Sequence, residues 1–137
     1  GNEAEGCILA ATSDKALADM RVGLITTAGL HRRGEAVFEF TDASFRPISG
    51  DVDAGDLVMS HSSVNFDRVG FQEDVNVVFP IDRFKALAEK GVIGTVADVH
   101  YSFMGAGLLP DAYAGSATQL ARLLERDRVD AVFLTPV

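Results

Sequence analysis

Three histidines, His31, His61 and His100, are the only ones in the 137 residues, and they carry most of the chemistry this sequence could do. Each follows a short apolar run: Arg21–Thr27 before His31, Asp56–Ser60 before His61, and the weaker run Val92–Val99 before His100. In an open parallel sheet, ligands gather beyond the carboxyl ends of the strands. If the three runs are parallel strands, the imidazoles share one edge, where they could transfer protons, bind a carboxylate or ligate a metal. Arg32 and Arg33 form a cationic pair suited to a substrate carboxylate or phosphate, and Ser62 and Asp67 complete the candidate substrate-binding set. A histidine or arginine at such a place can equally do no more than tie down a loop or solubilise it. The wide spacing of the histidines matches no compact ligand motif, so no metal site is assigned.

The elements that must position these residues are legible in outline. Arg21–Thr27, Asp56–Ser60 and Val129–Thr135 are short, continuous, β-rich runs of the kind buried on both faces of a parallel sheet. Ser44–Ile48 reads as a possible short strand. Val75–Phe79 is apolar but runs into Pro80, which cannot donate to a ladder. Ile81–Lys90 is predicted to be helical, capped by Asp82, with Phe84, Leu87 and Ala88 on one face and Gly91 supplying the left-handed exit. A second helix is predicted over Ala112–Arg126, with Tyr113, Ala117, Leu120, Leu123 and Leu124 as its buried stripe. Helices alternating with buried strands predict a Rossmann-like α/β three-layer sandwich with a mainly parallel sheet. Residues 1–19 stand apart as an unassigned segment, where Ala16, Leu17 and Met20 have helical spacing, and residues 20–137 form the domain.

Composition narrows the function classes. A net charge of −8 repels phosphate backbones and anionic lipid, so neither nucleic acid nor a membrane is an expected partner. No apolar run approaches the roughly 20 residues of a bilayer span. The single cysteine, Cys7, precludes an internal disulfide and is expected to be a buried, inert thiol of a cytoplasmic protein. Thr26-Thr27-Ala28-Gly29 is not a dinucleotide-binding glycine pattern, and no P-loop is present. The chain lacks an initiator methionine, and its start is expected to be a processing or cloning remnant.

The strings Leu24–His31, Asp74–Pro80, His100–Gly105 and Val129–Val137 resemble, in order and spacing, the selenoprotein B family of glycine, sarcosine, betaine and D-proline reductases. The resemblance covers about Met20 to the C-terminus. It implies a thiol- or selenol-dependent reductase that cleaves a C–N bond, forming an X–Y bond from X–H and Y–H with a disulfide as acceptor in the reverse direction. It also implies a small-molecule substrate and a thioredoxin-like dithiol donor. The family's redox selenocysteine or cysteine would lie just after Val137, so no cofactor is expected within this chain, which by itself should lack the redox step. A selenocysteine codon read as a stop is the favoured account of that ending, with a fragment as the alternative. The missing remainder would leave apolar surface near the last strand, which predicts a homo-oligomer. Outside the reductase reading stand a non-catalytic domain holding a small anion at His31, Arg32 and Arg33, and a metal-dependent hydrolase using the three histidines.

Overall fold

A computed structural model describes residues 8–11, 13–36, 44–59, 75–104 and 114–135 of the chain. In chain order its strands are β1 (Ile8–Ala11), β2 (Arg21–Thr26), β3 (Leu30–Arg32), β4 (Phe45–Ser49) and β5 (Leu57–Met59). Helix α1 (Ile81–Glu89), strands β6 (Thr95–Val96) and β7 (Val99–Phe103), helix α2 (Ala114–Arg126) and strand β8 (Ala131–Thr135) follow. The α/β class holds, and the sheet is mixed. Its order is β1-β8-β2-β7-β4, with β6 also on β2.

The expected mainly parallel sheet is corrected on two counts. β2 runs parallel to β8, β7 and β6, but both outer strands are antiparallel: β1 on β8 and β4 on β7. β4 carries Pro47, whose missing N–H is tolerated at an edge. Among the described residues, the run at 56–60 does not join this sheet. Its described part, β5, pairs antiparallel with β3 in a two-stranded ribbon, Leu30 opposite Met59 and Arg32 opposite Leu57. A short apolar run satisfies either arrangement, because Leu30 and Leu57 are buried in the ribbon just as they would be in the main sheet.

Alternation along the central strands feeds two cores. Val22, Leu24, Ala131, Ile48, Phe79, Ile81 and Phe84 pack in one cluster, while Tyr101, Phe103 and Leu120 pack with Ile25, Phe45 and Val99 in the other. Phe84 of α1, buried, meets the half-buried Phe133 of β8 with ring centroids 4.8 Å apart; full burial of such a ring contributes about 1.5–3 kcal/mol. On α2, Leu120 is buried and Leu123 and Leu124 are half-buried, but Ala117 is exposed, and Tyr113 lies outside the described residues.

Local signals explain the helix ends, with one correction. Val75–Phe79, the apolar run before Pro80, begins in a 3-10 turn, and from it Asn76 reaches α1: its Oδ1 accepts from the Asp82 N–H at 3.1 Å, and its amide donates to Asp82 Oδ2 at 3.0 Å. Asn76, not Asp82, therefore satisfies an orphan N–H of the first turn. At the other end Gly91 has φ +77°, its N–H donates to Ala88 O and that of Val92 to Leu87 O, which is a Schellman ending.

One irregularity sets the register. β6 pairs Arg21 with Thr95 and Val22 with Val96, whereas β7 pairs Ile25 with Tyr101 and Thr26 with Ser102. The β7 strand is thus displaced by two residues relative to β6, and Ala97 and Asp98 form the bulge. The Asp98 carbonyl turns away and accepts from the Gly50 N–H at 2.7 Å. A bulge of this kind re-aims the side chains that follow it.

Candidate functional site

The carboxyl ends of three adjacent parallel strands meet at one row. Register places Ser102 of β7 beside Thr26 of β2, and Thr26 beside Thr135 of β8. Paired residues of neighbouring strands project from the same face, so the three hydroxyl side chains stand side by side. Thr26 and Ser102 are 0% exposed and Thr135 7%. The chain leaving β2 then crosses these ends. Thr27 N–H donates to Thr135 O at 3.2 Å, Gly29 N–H to Phe103 O at 2.7 Å, and Ala28 bridges Met104. Gly29 takes φ +67°, a left-handed geometry that favours glycine, and the turn delivers the chain into β3.

His100 lies one step inside this row. The expectation that it follows the strand near residue 96 is corrected: past the bulge that strand resumes as β7 and contains His100 as its second residue. Without the two-residue bulge the β6 register would set His100 opposite Thr26; with it, Ser102 takes that place and His100 is drawn back to the level of Leu24. The backbone N–H of Leu24 donates to His100 Nδ1 at 2.9 Å. An accepting Nδ1 carries no proton, so the neutral ring carries its hydrogen on Nε2. Burial pushes the His100 pKa down to about 4, against the opposing pull of Asp127. Phe79 packs edge-on to the ring at 5.8 Å between centroids. Among the described residues, His100 Nε2 and Ser102 Oγ are buried without a hydrogen-bond partner.

His31 sits in β3, beyond the carboxyl ends, as its position after the turn requires. It is 5% exposed, and its Nδ1 lies 3.5 Å from Gly29 O. Arg32 and Arg33 are exposed at the end of β3. The Arg32 N–H donates to Glu35 Oε1 at 2.8 Å. Arg33 ties the ribbon together, its N–H donating to Asp56 O at 2.9 Å and its Nε–H to Gly55 O at 3.1 Å. His61, Ser62, Asp67 and Val137, and with them the full set of three imidazoles, lie outside the described residues. Among the described residues no group of three or more His, Cys, Asp or Glu is placed to hold a metal. Nor is any helix among them long and apolar enough to cross a membrane.

The hydroxyl row went unread in the sequence although it left a signal. Thr26 and Thr135 are polar residues at the ends of apolar strand runs, Leu24-Ile25-Thr26 and Phe133-Leu134-Thr135, and Ser102 lies between aromatic residues in Tyr101-Ser102-Phe103. The opposite end of the sheet is charged. Arg21 donates from Nη2 to Asp127 Oδ1 at 2.7 Å, lies 3.3 Å from Asp98 Oδ2, and donates its Nε–H to Asp127 O. The Arg21 N–H, donating to Asp130 Oδ2, holds the Asp130 carboxyl below its ordinary range.

The family model described as glycine/sarcosine/betaine reductase selenoprotein B matches residues 11–137. The chain belongs to this family. It is 37% identical over 123 residues to D-proline reductase subunit gamma of Acetoanaerobium sticklandii, covering 88% of this chain and 50% of that one. It is 28% identical over 127 residues to glycine reductase complex component B subunit gamma of Symbiobacterium thermophilum, covering 88% and 29%. It is 27% identical over 115 residues to betaine reductase complex component B subunit beta of Peptoclostridium acidaminophilum, covering 84% and 22%. The chain thus spans half or less of the length of these relatives. No solved structure matches it.

Proposed function

We propose that the chain serves as the N-terminal part of a selenol- or thiol-dependent reductase acting on a small amino acid or its N-methylated relative. The observation that carries the reading is the family match over residues 11–137, together with the 37% identity to a D-proline reductase subunit. In this proposal the redox selenocysteine or cysteine follows β8, so the selenolate or thiolate would emerge beside Thr27, whose N–H donates to Thr135 O. His31 and His61 are the proposed proton donors around it. His100 is assigned a supporting part, since its Nδ1 is engaged by Leu24 and burial keeps it neutral. Arg32, Arg33, Ser62 and Asp67 are the proposed substrate-binding residues, with Arg33 anchored through Gly55. A thioredoxin-like dithiol as electron donor, a cytoplasmic setting and a homo-oligomeric assembly belong to the same proposal. The curated relatives are named as subunits or components, which supports association with other chains.

The test is to express the gene through and beyond the codon after Val137 with selenocysteine insertion, and assay the product with dithiothreitol against D-proline, glycine, sarcosine and betaine. Dithiol-dependent loss of one substrate, abolished by replacing the redox residue with alanine, is the expected result. Absence of a selenocysteine or cysteine codon near that position would defeat the proposal.

A further inference from the structure

Two of the three buried side-chain atoms without a partner among the described residues belong to one face of one strand. Ser102 Oγ and His100 Nε2 are two residues apart on β7, with both residues 0% exposed. Side chains at that spacing project from the same side about 7 Å apart at their Cα atoms, close enough for one small molecule to meet both. Leaving a buried donor unmade costs about 1–3 kcal/mol, so a persistent pair of them calls for an acceptor beyond the described residues.

The chemistry of that acceptor follows from what lines the place. His100 presents a donor, because its Nδ1 already accepts from Leu24 and the neutral ring carries hydrogen on Nε2. Ser102 presents a hydroxyl that can donate. Thr26 Oγ1, beside Ser102 in the row, already accepts from the Ala28 N–H at 3.2 Å, which leaves its own hydroxyl hydrogen to give. Register and spacing put these three neutral donors on one face of two adjacent strands, and no cation is among them. Such a set fits an oxygen acceptor in preference to a phosphate or a metal ion. The location adds to this, since the row closes the carboxyl ends of three adjacent parallel strands, where open sheets receive ligands.

We infer that His100 Nε2–H, Ser102 and Thr26 form a neutral-donor site for a single oxygen acceptor: a bound water, or a carboxyl or carbonyl oxygen of a small ligand. The site goes beyond the reductase reading and does not depend on it. Both sources present the same chemistry, and the test separates them.

The 137-residue chain, labelled with nitrogen-15, is studied by long-range proton–nitrogen NMR of its histidine rings. The site predicts a His100 ring protonated on Nε2, whose proton shows a direct through-space cross-peak to a long-lived water. Titration with acetate, glycine and D-proline forms the second arm. If a ligand oxygen is the occupant, the water cross-peak is lost and one to the probe's carbon-bound protons replaces it. If water is the resident occupant, its cross-peak persists through every titration. Ser102→Ala should reduce or abolish the water cross-peak while leaving the Leu24 amide resonance in place; should that variant not fold, the wild-type spectra decide alone. A ring protonated on Nδ1, or an Nε2 proton with cross-peaks to protein protons only, overturns the site.

Discussion

The Leu24 amide donates to a side chain, the His100 imidazole, at a point where a strand would ordinarily supply a carbonyl. The bulge at Ala97 and Asp98 interrupts the ladder here, after the Ala97 N–H on Val22 O and before the β7 register that pairs Ile25 with Tyr101. His100 therefore substitutes for backbone in the middle of the sheet. A buried N–H left without an acceptor would cost about 1–3 kcal/mol, which is what the imidazole prevents.

This arrangement predicts a pH dependence of stability. Folding lowers the His100 pKa from its ordinary 6.5 to about 4. The unfolded chain therefore binds a proton first as pH falls, and the stability from the neutral ring, complete above pH 6.5, declines through this window and is exhausted near pH 4. The span corresponds to about 3 kcal/mol. His100→Asn keeps an acceptor near the Nδ1 position and does not titrate. Urea unfolding at pH 7 should find it less damaged than His100→Ala, which should lose about 2–4 kcal/mol. Between pH 6.5 and 4, wild type should lose more stability than His100→Asn; parallel curves would show that His100 is not the titrating group.

Gly94 is fixed by its neighbours. A Cβ there would stand 2.7 Å from Met20 O and 2.8 Å from Asp19 C, both backbone atoms that cannot step aside. The Gly94 and Thr95 N–H groups both donate to Met20 O, so the approach is what starts β6 on β2. Gly94→Ala should cost about 2–3 kcal/mol in thermal or urea unfolding. Gly91→Ala meets no atom within 4 Å but must hold φ +77°, and should cost about 1 kcal/mol.

The two helices end in the same motif with different residues, and this offers a stabilising change. Arg128, like Gly91, stands in the left-handed region, at φ 58°. Its N–H donates to Glu125 O and that of Val129 to Leu124 O, repeating the Schellman pattern of α1. Arg128 is exposed, so Arg128→Gly removes little packing. A gain of about 0.5–1 kcal/mol is expected, read as a higher midpoint at unchanged m-value.

The sequence disclosed elements better than their partners. Arg21–Thr26, Ala131–Thr135 and the two helices are legible because apolar period and punctuation, such as Gly91, act within a few residues. The direction of pairing is decided by contacts remote in sequence, so nothing local told that β4 and β1 would close the sheet antiparallel or that β5 would leave it for β3. The bulge was equally hidden. Its cause, the fit of Asp98 O to Gly50 N and of His100 to Leu24, links residues far apart in the chain, and it moved His100 from the edge into the sheet. His31 remained readable because it is tied to the Gly29 turn.

The final prediction separates chemistry from binding around that turn, and it rests on the proposed reductase activity. His31 is placed beyond the strand ends, buried, with Nδ1 toward Gly29 O, while Arg32 is exposed next to it. A proton donor acts on the rate of the chemical step, whereas an exposed cation that meets a substrate carboxylate acts on its capture. In the extended, redox-competent protein, His31→Gln should lower kcat by about 100-fold or more with KM little changed. Arg32→Gln should raise KM about tenfold, equivalent to one charge-assisted hydrogen bond of about 1.4 kcal/mol, and leave kcat within a small factor. Arg33→Gln loses the tie to Gly55 and should lower stability, with its kinetic effect following the folded fraction. The pattern is checked by steady-state kinetics on each variant at a temperature where circular dichroism shows all of them folded. If His31→Gln changed KM alone, or Arg32→Gln changed kcat alone, the assignment of the two roles would have to be reversed.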